Sequence, residues 1–126
     1  VFIRGTIRNN PKESAEIIAR YKNVEEDGAA FAQFDYQMTH DLALASNNNV
    51  FVLMMNGFRG MYSRIGGFYF DHEQARDVAK AYYAKLLDAA ENERHDKVPV
   101  VVRDYGIESG KVWQQVRDSM PKDIVD

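Results

Sequence analysis

Apolar side chains along this sequence recur three and four residues apart, and strict apolar–polar alternation is nearly absent. The pattern predicts helices from end to end. The opening stretch, Val1 to about Arg8, reads as the end of a helix whose beginning is missing. Asn10 is placed to cap the next segment, with Pro11 at its first position, and that helix is expected to run to about Lys22. A third helix is expected over roughly Asp27 to Ser46, with Phe31, Phe34, Met38, Leu42 and Ala45 at helical spacing. Asn47, Asn48 and Asn49 end it, because asparagine tolerates left-handed geometry at helix ends. A fourth runs from about Val50 to Phe70. It begins apolar on nearly all sides and is therefore expected at the centre of the fold. Asp71 can cap a fifth helix reaching about Asn92, whose Val78, Tyr82, Leu86 and Ala89 make a core stripe. The last helix starts near Asp96 and ends before Pro121. Its "KVPVVV" run has strand propensity, but Pro99 near a helix start and the spacing that follows favour helix. The fold class expected is an all-α antiparallel helical bundle.

Composition narrows the setting. The chain has 126 residues, enough for one domain with a real core. No cysteine is present, so disulfides and thiolate metal sites are excluded, which fits a cytoplasmic protein. No signal peptide is visible, and the longest apolar run, Val50 to Met55, is far too short to span a bilayer. Net charge is −3 and the lysines and arginines are scattered, so the chain has no basic stripe for nucleic acid. The apolar opening without an initiator methionine suggests a fragment.

Asp35 is the first candidate for chemistry. It lies one turn from Phe31 and Thr39, close to the apolar stripe of its own helix. It is either a boundary acid that reaches water or an interior acid satisfied by hydroxyls or a cation. The three histidines, His40, His72 and His95, do not suit a metal site: His40 is five residues after Asp35, not four, and the others sit near helix starts. No nucleophile elbow, Ser-His-Asp order or phosphate-cradling loop is visible. "GFRG" and "RIGG" lie inside a helix, where small residues permit close packing. The same helix projects Tyr62, Ile65 and Tyr69 from one face. They suit either a cleft for a long apolar ligand with a polar head, or a core. In "RDYGIESGKVW" the last helix carries two glycines, each costing about 1 kcal/mol against alanine. There Val102, Gly106, Ser109 and Trp113 share a face that serves either tight helix packing or a ligand.

"FDYQMTHDLALASNN", "LMMNGFRGMYSRIGGFYF" and "YGIESGKVW" resemble the effector domains of the FadR family, fatty-acid-responsive regulators of the GntR superfamily. The resemblance covers essentially the whole chain. It implies an all-α domain without its opening helices, a binding module rather than an enzyme, with no cofactor. Such a domain binds long-chain acyl-CoA behind a winged-helix domain, absent here, and ligand releases operator DNA from the homodimer without any membrane contact. On that resemblance Gly106, Ser109 and Trp113 contact ligand, Tyr62 and Tyr69 line the cleft, and Phe58 and Thr39 belong to the same acyl-CoA site. The wider superfamily often binds a divalent metal through an Asp and three His. The Asp matches Asp35, but the histidine positions match Thr39, Tyr83 and Tyr105, so no metal is expected. Tyr83 and Tyr105 are expected to hydrogen-bond Asp35 instead, with Arg103 compensating its charge. Two departures stand out: Thr39 where a bulky apolar residue is expected, and "ASNNN" in place of "ASGNP". The alternatives are a superfamily relative sensing another small carboxylic acid, with or without metal, and a small helical enzyme using Asp35 and tyrosines as acid and base.

Overall fold

A computed structural model of the chain describes residues 2–124. Among them the regular structure is helical: α1 (Phe2–Asn9), α2 (Pro11–Ala19), α3 (Gly28–Ala45), α4 (Asn49–Gly57), α5 (Arg59–Phe70), α6 (Glu73–Glu91) and α7 (Val98–Val116). Short 3₁₀ turns extend α2 and flank α7. The all-α bundle expected from periodicity is what forms. Helix α3 sits at its centre, packed against α1, α2, α4 and α5, while α6 packs on α2 and α7. Ile7, Ile18, Phe31, Met38, Leu42, Tyr83, Leu86 and Val98 are fully buried where these helices meet. No helix among the described residues is long and apolar enough to cross a membrane.

The close approach of α3 and α5 depends on glycine. A Cβ at Gly28 would lie 2.5 Å from the Gly67 carbonyl oxygen and 2.7 Å from the Asp71 nitrogen, and one at Gly66 would lie 3.1 Å from the Ala32 Cβ. The packing role read for "RIGG" therefore holds at Gly66.

Local signals worked unevenly. Pro11 and Pro99 sit in the first turns of α2 and α7. Asp27 caps α3 by accepting a hydrogen bond from the Ala30 amide at 3.3 Å. Asn47 takes φ 60°, the left-handed geometry that stops α3. Asn48 then caps α4, accepting from the Phe51 amide at 3.2 Å. Asn10 occupies the cap position of α2, but its side chain donates to the Ala45 carbonyl at 3.4 Å, tying α2 to the end of α3. Asp71 does not cap α6. It closes α5, and His72 occupies the cap position of α6 without a side-chain cap.

The largest correction concerns the expected helix from Val50 to Phe70. It is two helices, divided at Phe58 (φ −107°, ψ 7°), whose amide bonds back only three residues to Met55. Gly57 and Gly60 on either side weaken helix propensity there. Nor is its start central. Of α4 only Met55 is buried, while Val50 and Leu53 are 81% and 74% exposed. An all-round apolar sequence cannot show whether its outer face has a neighbour within the chain.

Candidate functional site

Asp35 points inward from α3 and is buried. Tyr83, from α6, donates to its Oδ1 at 2.6 Å, and Tyr62, from α5, donates to its Oδ2. The carboxylate thus ties three helices together. Burial pushes its pKa above the usual carboxylate range, and the two phenol hydrogen bonds offset only part of that. The phenols respond in kind. Burial raises Tyr62, Tyr83 and Tyr105 well above the ordinary tyrosine value, and the charge on Asp35 raises them further.

The expectation of an interior acid satisfied by hydroxyls is met, with two corrections. Tyr105 does not bond Asp35. Its ring stacks on Tyr82 at 4.0 Å between centroids and 8° between planes. Arg103 does not compensate the charge, because it is exposed on the outer side of α7 and pairs with Asp104 at 3.4 Å. Among the described residues no ion pair to Asp35 forms, and no group of three or more His, Cys, Asp or Glu comes together. His40 instead contacts its neighbour Asp41 at 3.2 Å.

Beside Asp35 lies an inner cavity of about 350 Å³, within the size range of small-molecule sites. Asp35 and Thr39 form its polar part. Phe2, Phe51, Val98 and Val102 supply apolar walls, and Arg4 stands among the α1 residues that line it. Tyr82 and Tyr105 close one side. The same two rings face an outer cleft of about 320 Å³ between α6 and α7, where Asp77, Asp104 and Glu108 outnumber Lys85.

Farther along α7, three of the expected ligand contacts meet. The Tyr69 hydroxyl donates to the Ser109 carbonyl at 3.4 Å, and the Trp113 ring lies 6.4 Å from that of Tyr69 and 6.3 Å from that of Phe68. Burial, with the Asp35 charge behind it, pushes the Tyr69 phenol up to about 12. In the order of α7, Gly106 falls between Tyr105, which lines the inner cavity, and Ser109; it is exposed and lines neither space. A Cβ at Gly106 or Gly110 would meet no atom within 4 Å, so packing inside the chain does not explain either glycine. Phe58 is 53% exposed at the α4–α5 joint and lines neither space. Sequence reasoning missed the bond from Tyr62 to Asp35 and the part that α1 plays in the cavity. The row of phenols on α5 was the only signal for the first, and nothing in the pattern signalled the second.

The chain is thus an all-α domain with a buried acid at the meeting of three helices and a largely apolar cavity beside it. The chain belongs to the FadR C-terminal domain family, whose model matches residues 1–125. Among curated relatives, the "Fatty acid metabolism regulator protein" of Shewanella amazonensis is 44% identical over 124 residues, 98% of this chain and 52% of that protein. Its namesakes from Shewanella denitrificans and Shewanella oneidensis are 45% and 42% identical over the same share. The chain spans about half the length of the curated relatives it matches.

Proposed function

We propose that this chain is the sensing domain of a transcription regulator of fatty acid metabolism and that its ligand is a long-chain acyl-CoA. The observation that carries this is the face of α7. Its first turns, at Val98 and Val102, wall an apolar cavity, and its later turns bring Ser109 and Trp113 against Tyr69, with uncovered Gly106 between. From Val98 to Gly106 the helix rises about 12 Å, so the first part of an acyl chain would lie along it with its thioester at the glycine and the rest would reach beyond Val98. The outer cleft is a poor place for the CoA phosphates, because Asp77, Asp104 and Glu108 repel them.

On this reading the mechanism is a shift between two arrangements of the helices. Ligand binds one better, and in the full-length homodimer that arrangement withdraws the winged-helix domains from the operator. The reading is a sensor, not an enzyme. Both oxygens of Asp35 are engaged by phenols that burial keeps protonated, which leaves no acid–base pair poised for turnover.

Native mass spectrometry of the full-length regulator should show one acyl-CoA per chain, recovered chemically intact. Titrated acyl-CoA should also change Trp113 emission saturably, since Trp113 is the sole tryptophan of this chain. Absence of any acyl-CoA binding overturns the reading. Saturable binding that leaves Trp113 unperturbed overturns the placement of ligand on α7.

A further inference from the structure

A separate groove of about 280 Å³ lies between α3 and the start of α5. Its lining joins the small side chains of Ala29 and Ala32, the rings of Tyr36 and Tyr62, the amides of Gln33 and Gln37 and the Ser63 hydroxyl. Arg59 is the only charged residue that lines it. Other arginines of the chain find acids: Arg20 pairs with Asp41 at 3.5 Å, Arg76 with Glu26 at 3.0 Å and Arg94 with Asp88 at 3.8 Å. Arg59 forms no ion pair and no hydrogen bond through its side chain among the described residues. Its guanidinium carbon lies 5.4 Å from the centroid of the Tyr36 ring. That ring is itself fixed, being buried and donating through its hydroxyl to the Asn56 Oδ1 at 3.2 Å. Contact with an aromatic face orients a guanidinium without consuming its N–H donors. The Gln33 amide and the Ser63 hydroxyl also make no hydrogen bond among the described residues, and both can donate. Gln37 is already committed, since its amide donates to Asp41 at 2.8 Å, the acid that Arg20 pairs with.

We propose that this groove is a binding site for a small oxyanion, a carboxylate or a phosphate, gripped by Arg59 and completed by Gln33 and Ser63. A planar guanidinium meets two oxygens of such a group at once, which a spherical ion cannot reproduce. No carboxylate of the chain lines the groove to compete for the arginine. Of the lining residues only Tyr62 also reaches the buried acid, to which its hydroxyl donates. The proposal does not rest on the acyl-CoA reading and stands or falls apart from it.

The test follows isotope-labelled arginine side chains by NMR in the full-length regulator. Inorganic phosphate and acetate are titrated separately at constant ionic strength, with sodium chloride as the balancing salt. The Arg59 Nε–H signal should shift saturably, with at least one of the two oxyanions binding at least about tenfold tighter than chloride. Saturation by phosphate alone makes the ligand a phosphate, and saturation by acetate alone makes it a carboxylate. Arg103, exposed and paired with Asp104, is the internal reference and should show no matching saturation. Arg59→Lys keeps the charge but loses the planar fork, so its affinity, read by calorimetry, should fall at least about fivefold. Shifts at Arg59 that never saturate, or that Arg103 reproduces, overturn the proposal. Undiminished binding in Arg59→Lys also overturns it. Should that variant fail to fold, the comparison of Arg59 with Arg103 in the unaltered protein still decides.

Discussion

At the scale of the residue, Asp35 has the largest consequences. Its ordinary pKa is 3.8, and burial raises it despite two hydrogen bonds from phenols. The folded protein therefore holds the proton more tightly than the unfolded chain does. The stability this provides is full below the unfolded value and is lost as pH rises through the raised folded value. Asp35→Asn carries no titrating group there. Thermal melts of the two proteins from about pH 4 to pH 8 should show the wild type losing ground to the variant as pH increases. A difference that does not change with pH would show that burial does not govern this acid. Its spacing from Phe31 and Thr39 put Asp35 close to the apolar stripe of its helix but left open whether it reached water or the interior. Its partners were only half legible. Tyr83 was expected, but Tyr62 and Tyr105 are both phenols on apolar helices, and spacing along the chain does not say which one reaches across. Tyr62 takes the bond because the glycine contacts draw α5 onto α3, whereas Tyr105 spends its ring on Tyr82.

Between elements, glycines separate two kinds of contact. Gly28 holds α3 against the end of α5, and any side chain there would collide with backbone. Gly28→Ala should cost roughly 1–3 kcal/mol or more, measured by urea unfolding, because the colliding atoms belong to helices that are not free to move. Gly106→Ala should do the opposite. Its Cβ meets nothing, so the variant should gain about 0.5–1 kcal/mol of stability through better helix propensity, yet bind acyl-CoA more weakly. A variant that loses stability and affinity together would return Gly106 to a packing role. In the sequence nothing marked Gly28 and Gly106 as different in kind, since both simply sit in helices. What separates them is the distance to the next helix, which no local pattern encodes. Helix starts and stops fared better. Pro11, Asn47 and Pro99 act through their own backbone geometry and Asp27 through a side-chain bond to an amide three residues on, so their meaning survives without tertiary context.

For the whole molecule, the informative surface is the one that has no cover. Val50, Leu53, Met54, Phe58 and Met61 expose apolar side chains along α4 and the start of α5. A patch of this kind marks a contact site, and in a lone chain it promotes association. Leu53→Lys should reduce self-association in sedimentation experiments while moving folding stability by no more than about 0.5 kcal/mol, because Leu53 is 74% exposed. If stability falls well beyond that, Leu53 packs within the fold after all. The sequence made this helix look central because it reports only how greasy a segment is.

The stacked rings of Tyr82 and Tyr105 carry a consequence on the same scale. They are the shared partition between an apolar chamber and an acidic one. A partition one ring pair thick has no interior of its own, so room gained on one side is taken from the other. Any movement of these two rings would alter both spaces at once. A cationic compound wedged among Asp77, Asp104 and Glu108 would press on the chamber behind the wall without ever entering it.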